Sequence, residues 1–181
     1  GISCEKISFE NCSEMSEKAS KAFLEAGCNV VILHFSRLVG PELFDSILTV
    51  NVHPSLLPAF PGLDAVGDAA KSCSLFQGAT LHLVDKGMDT GTILAQTIHT
   101  VPRSAQLSWR RSLGYRQKVV MTLVLIDWLK NGLIDLDHIG DNAFDKMTLP
   151  SGDFFCSPGF GAKDKTIFSS SLFDDLSAVG F

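Results

Sequence analysis

Asn51 and His53 stand two residues apart where a strand-like run, Leu48 to Val52, gives way to Pro54. In an extended chain that spacing projects both side chains from one face. Asn is a poor strand former, so a polar pair at this position needs a reason. In open α/β sheets, ligands bind beyond the carboxyl ends of strands, and this pair sits there, just ahead of a loop rich in Pro and Gly that runs to Gly62. The competing reading is structural: Asn51 ties down the loop and His53 is a satisfied interior histidine. Spacing alone leaves the two open.

The elements that would position this pair follow from periodicity. Met15, Ala19, Ala22, Phe23 and Ala26 form one helical stripe, with the cap-like polar group Glu10 to Ser13 before it and Gly27 as its stop. Val30 to Phe35 is a continuous β-branched and aromatic run, which predicts a strand covered on both faces. Helix followed by buried strand is the βαβ pattern. Pro41 to Leu48 predicts a short helix, and Leu48 to Val52 a second buried strand. Residues 64–77 are weakly helical, and Ala79 to Val84 and Thr92 to Thr100 read as strands joined by a turn from Asp85 to Gly91. Ser104 to Asn131 predicts a long helix, with Ser104 as N-cap and Gly132 just past its end. Its half from Val119 to Leu129 is apolar nearly all round and is expected to be buried. Beyond Ile134 the texture changes to Gly, Ser, Asp and Phe without a period, so residues 135–181 are expected to form an irregular extension. Gly159-Phe160-Gly161 lacks the strand and helix of a phosphate loop.

Composition narrows the function classes. The 181 residues are 45% hydrophobic and 19% charged, an ordinary globular profile sized for one domain plus a tail. Fifteen Lys and Arg against 20 Asp and Glu leave a formal charge of −5, which argues against a dedicated nucleic-acid binder. No apolar run reaches the roughly 20 residues a membrane-spanning helix needs, and no basic-then-apolar leader opens the chain. The expectation is an intracellular protein without membrane attachment. Five scattered cysteines, none spaced Cys-x-x-Cys, suggest neither a disulfide framework nor a zinc site. Asn11-Cys12-Ser13 matches the glycosylation sequon by chance.

Several blocks together resemble the folate-dependent formyltransferases: Asn51-Val52-His53-Pro54-Ser55-Leu56-Leu57-Pro58, Pro61-Gly62, Gly78-Ala79-Thr80-Leu81-His82-Leu83-Val84, Met88-Asp89-Thr90-Gly91 and Gln96. Within that family the resemblance is to the branch whose acceptor is glycinamide ribonucleotide of purine biosynthesis. It covers Gly1 to Ile134, which would make residues 1–134 the catalytic domain, N-terminally incomplete. The implied fold is α/β and Rossmann-like, a mostly parallel sheet flanked by helices.

The resemblance also implies roles. The family moves a formyl group from 10-formyltetrahydrofolate to an amine, through a tetrahedral intermediate bearing an oxyanion. Asn51 and protonated His53 would stabilise that charge. Asp89 would favour the imidazolium and, through water, relay protons from the amine. The folate would lie along Arg37, Leu38, Val39, Val84, Asp85 and Asp89, with Arg37 reaching for its glutamate tail. Bland readings stand beside these: a solvated Arg37, core Leu38 and Val39, a turn aspartate at 89. Thr80 and His82 alternate onto one strand face as supports for the site.

Reduced folate is thus the expected co-substrate and small molecules the expected partners, with no metal. The oligomeric state is left open. A cytoplasmic location is expected, or an organellar one if a transit peptide precedes Gly1. The family pattern begins with a strand, a Gly-rich phosphate turn and a helix, and Gly1 matches a point inside it. Asp64 stands where the family usually has His, and Lys118 where relatives that bind the ribonucleotide place Glu. Both departures touch the acceptor. A hydrolase of formyltetrahydrofolate, a formyltransferase for aminoacyl-tRNA or an amino sugar, and a folate-binding paralogue without turnover are the alternatives.

Overall fold

The computed structural model describes residues 4–34, 37–131 and 155–156. The expected extension at 135–181, apart from 155–156, and the Gly159–Gly161 motif lie outside them. Asn11 opens the first helix, its Oδ1 accepting from the Glu14 backbone N at 2.9 Å. The residue of the chance sequon is therefore a helix cap. Helix α1 (Cys12–Glu25) runs to Gly27, which takes a φ of +69°, the left-handed conformation glycine adopts at no steric cost. Strand β1 (Val30–Leu33), helix α2 (Pro41–Phe44), strand β2 (Leu48–His53) and helix α3 (Ala65–Lys71) follow. Then come the hairpin β3 (Phe76–Leu83) and β4 (Ile93–Thr100), and helix α4 (Leu107–Lys130). A two-residue strand, β5 (Phe155–Cys156), completes the sheet in the order β1-β2-β3-β4-β5.

The α/β layout stands, but the described sheet is mixed rather than mostly parallel. β1 and β2 pair parallel, as do β4 and β5, while β2–β3 and β3–β4 are antiparallel. The connection across residues 54–75 returns the chain antiparallel beside β2, where His53 pairs with Thr80 and Asn51 with His82.

Alternation divides β2 and β3 into two faces. Val50, Val52, Ala79 and Leu81 join Val120, Met121, Val124, Leu125 and Trp128 of α4 in the main core. Asn51, His53, Thr80 and His82 are left on the other face. A second cluster, Met15, Ala19, Val31, Leu43 and Ile47, seats α1 and α2 against β1.

Three local expectations are revised. Only Val31 of β1 is fully buried, because β1 ends the described sheet and its flanks are only partly covered. Ile126 is 46% exposed, since α4 lays one face on the sheet and turns the other outward. Ser104 does not cap α4: Ala105 N bonds Pro102 O in a preceding turn, and the helix starts only after Gln106. No described helix is long and apolar enough to cross a membrane.

Candidate active site

All eight residues singled out from the sequence line one crevice: Arg37, Leu38, Val39, Asn51, His53, Val84, Asp85 and Asp89. It opens where β1 and β2 end and is closed on one side by the connection between β3 and β4. His34, His82, Leu63, Met88 and Lys118 also line it.

Register places the polar groups. Asn51 and His82 are cross-strand partners, so their side chains meet on one face, and Asn51 Nδ2 donates to His82 Nε2 at 3.3 Å. His82 Nδ1–H donates to the Leu83 carbonyl at 2.7 Å, which leaves Nε2 bare to accept that bond. One Nδ2–H of Asn51 is thereby used and the other is free for a ligand. A bulge between Leu81 and His82 shifts the β3–β4 pairing here; such irregularities re-aim side chains next to sites.

Asp89 arrives from the 84–92 connection with a φ of +55°, a left-handed conformation that Asp tolerates better than most residues. The connection is pinned at its base by Val84 N to Thr49 O and Leu83 N to Thr92 O, both 2.9 Å. Within it, Asp85 Oδ1 accepts from Gly87 N at 2.9 Å and Thr90 Oγ1 at 2.8 Å. Asp85 therefore lines the crevice with its carboxylate already engaged in the turn. Asp89 Oδ2 lies 3.3 Å from His53 Nδ1, and Oδ1 lies 3.7 Å from His82 Nε2. The Gly62 backbone N donates to the same Oδ2 at 2.8 Å.

His53 does not point into the apolar interior. Its Nε2 donates to the Phe60 carbonyl at 2.9 Å while Nδ1 faces Asp89. Both ring nitrogens thus meet oxygen acceptors, an arrangement that an imidazolium satisfies with two N–H groups. Burial pushes His82 below the usual histidine range, with the Leu83 carbonyl and Asp89 pulling the other way. Two histidines flank one carboxylate, and burial favours the neutral form of His82.

The loop after β2 hangs on one hydroxyl. Thr80 Oγ1 donates to Ser55 O at 2.7 Å and accepts from Leu57 N at 3.0 Å and Gln96 Nε2 at 2.9 Å. Gln96 Nε2 also donates to Leu57 O at 2.9 Å. Thr80 and Gln96 thereby fix the loop whose Phe60 carbonyl and Gly62 amide hold His53 and Asp89. On the other side of the crevice, Arg37 is exposed and lies 5.6 Å over the Phe9 ring. Leu38 (55% exposed), Leu63 (78%) and Met88 (45%) leave an apolar rim free to pack on a flat ligand.

Sequence reasoning did not count His34 among the lining residues, its signal being a histidine directly after a strand, while Lys118, noted above for standing where relatives place Glu, lines the crevice as well.

The formyl transferase family model matches residues 2–108, more than half of the chain. Phosphoribosylglycinamide formyltransferase of Bacillus subtilis (strain 168) is 48% identical over 69 residues, 37% of this chain and 35% of the relative. The chain matches about a third of the length of such curated relatives. Among solved structures, phosphoribosylglycinamide formyltransferase from Anaplasma phagocytophilum superposes with a TM-score of 0.60 at 26% identity, covering 77% of this chain and 68% of that one. A formyltetrahydrofolate deformylase from Pseudomonas putida KT2440 gives 0.56 at 26% identity, covering 67% and 44%. With the matched region carrying Asn51, His53 and Asp89 into one crevice, the chain belongs to the formyl transferase family.

Proposed function

We propose that the chain transfers the formyl group of 10-formyltetrahydrofolate to the amine of glycinamide ribonucleotide. The observation that carries this reading is the meeting of Asn51, His53 and Asp89 in one crevice, with His53 Nδ1 3.3 Å from Asp89. The reduced folate lies along Arg37, Leu38, Val39, Val84 and Asp85, its flat ring against the apolar rim and its tail toward Arg37.

The acceptor amine attacks the formyl carbon, a C–N bond forms, and the carbonyl oxygen becomes an oxyanion. The free Nδ2–H of Asn51 and an N–H of His53 hold it. The His53 Nε2–H now spent on Phe60 O is exchanged for the formyl oxygen. Side-chain donors of this kind are worth roughly 3–4 kcal/mol each in the transition state. The proton released by the amine passes through water toward Asp89, and collapse of the intermediate returns a proton and the electron pair to N10 of the folate. The protein acts in the cytoplasm on small molecules.

Water could replace the amine at the same three side chains, which is the chemistry named for the deformylase neighbour. One assay separates the two. The protein is incubated with 10-formyltetrahydrofolate with and without glycinamide ribonucleotide, and loss of the formyl donor is followed. Acceptor-dependent loss is expected. Acceptor-independent loss would replace transfer by hydrolysis, and folate binding without any loss would reject turnover.

A further inference from the structure

Helix α4 crosses the start of β3 on a polar seam. Gln77 Nε2 donates to the Arg110 carbonyl at 2.6 Å, Gln117 Nε2 to the Gln77 carbonyl at 3.2 Å, and Arg110 Nη2 to the Ser74 carbonyl at 2.9 Å. All three side chains are 5% exposed or less. Apolar packing tolerates a small slide, whereas donors aimed at three backbone carbonyls do not. The seam therefore fixes the height and register of α4 over β3. It does so although Gln77 Oε1, Gln117 Oε1 and Arg110 Nη1 are buried and meet no partner among the described residues. Turning either amide over would only set its oxygen against a carbonyl.

Between Arg110 and Gln117 stands Gly114, buried inside the 24-residue helix. Glycine weakens a helix interior, so its place there needs a packing reason. A Cβ at this position would come within 3.2 Å of Gln77 Nε2, 3.4 Å of Val66 Cγ2 and 3.6 Å of Pro54 Cβ. Gln77 Nε2 cannot easily yield, because the Arg110 carbonyl holds it at 2.6 Å. The bare backbone thus lets α4 settle against α3 and against Pro54, the residue that follows His53. From the other face of the sheet the same stretch is held by Thr80, whose hydroxyl donates to Ser55 O and accepts from Leu57 N. Neighbouring Cα atoms are about 3.8 Å apart, so a displacement of Pro54 is passed to His53.

We propose that Gly114 is a positioning residue of the site: by admitting α4 against Gln77 and Pro54, it fixes His53 from behind at the distance from Asp89 that formyl transfer uses. The reaction named here rests on the functional reading above; the placement of His53 rests on the contacts of Gly114 alone.

Two arms test this on the whole chain with Gly114→Ala and Gly114→Val. The first reads the histidine side-chain NMR signals of the folded protein and needs no turnover. The His53 signals should shift in both variants, and further in the Val variant. His34 and His99 touch α4 through Thr122 and Trp109, and their signals should stay in place. An unmoved His53 overturns the proposal. So does an equal shift of all three histidines, which would mean that the helix moves as a body. The second arm follows steady-state formyl transfer to glycinamide ribonucleotide. Small misplacements of a reacting group are costly, so kcat should fall about tenfold in the Ala variant and about 100-fold in the Val variant, with both KM values within about threefold. Alanine favours a helix, so the Ala variant should melt no lower than wild type. A rate loss that merely follows a lower melting temperature overturns the proposal, as does a kcat in the Ala variant within about twofold of wild type. Should the Val variant fail to fold, the Ala variant decides both arms. If wild type transfers no formyl group, the functional reading fails, and the NMR arm still decides the placement of His53.

Discussion

Asp89 Oδ2 stands 3.3 Å from Nδ1 of His53, and backbone holds both partners: the Gly62 amide grips the same carboxylate oxygen, and the Phe60 carbonyl grips the far side of the ring. The pair is set by the loop after β2 as much as by its own side chains. Perturbing the charge and perturbing the loop should therefore give different phenotypes.

Asp89→Asn isolates the charge. Asn tolerates the left-handed backbone as Asp does, and its Oδ1 can still accept from Gly62 N. Formyl transfer should fall by about 100-fold or more with little change in melting temperature. His53→Ala or Asn51→Ala should cost about 10²–10³ in kcat. Near-normal turnover in the folded variants would reject the roles assigned to these residues.

Thr80→Val isolates the loop. Thr80 is fully buried, and removing its hydroxyl strands Leu57 N–H and the Ser55 carbonyl. The expected loss is about 2 kcal/mol of stability, read from urea midpoints. Folate KM should rise as Phe60 and Gly62 loosen. A variant as stable as wild type would show that the loop does not hang on this hydroxyl.

Gly78 allows a close approach that a side chain would block. A Cβ there would run into the Thr97 carbonyl oxygen of β4 and the Leu56 side chain. Gly78→Ala should destabilise by about 1–3 kcal/mol, measured by thermal unfolding. Because Leu56 must shift, activity should fall as well. Unchanged melting would contradict the tight β3–β4 pairing at this point.

Two histidines, His82 buried and His34 exposed, set an acid limit. His82 and His34 both lie below their ordinary value of 6.5 in the fold, so the unfolded chain binds protons that the native state refuses. Stability is then full above the unfolded value and is lost as pH falls from about 6.5 toward the depressed native values. Melting temperature should drop between about pH 7.5 and about pH 5.5, and less steeply in His82→Gln, whose amide can still accept from Asn51. The same slope in that variant and in His34→Gln would assign the acid sensitivity to other groups.

The pair at 51 and 53 was legible because strand alternation is rigid: a two-residue spacing on β2 can only mean one face. Asp89 was legible through the block it belongs to, since a turn aspartate looks the same whether or not it reaches a histidine. His82 was readable as a support, and its contacts with Asn51 and Asp89 fit that place. Strand direction was not legible. Hydrophobic runs at β2 and β3 mark burial, and burial by itself does not say whether neighbouring strands run parallel or antiparallel.

The acid reaches its histidines from a nine-residue excursion, 84–92, whose two ends are stitched into a ladder that the rest of the sheet holds in register. Lengthening or shortening that excursion would swing Asp89 out of range while the core beneath stayed packed. Reactivity and architecture are thus separable here, and a descendant of this sheet could shed the first through one small insertion and keep the second whole.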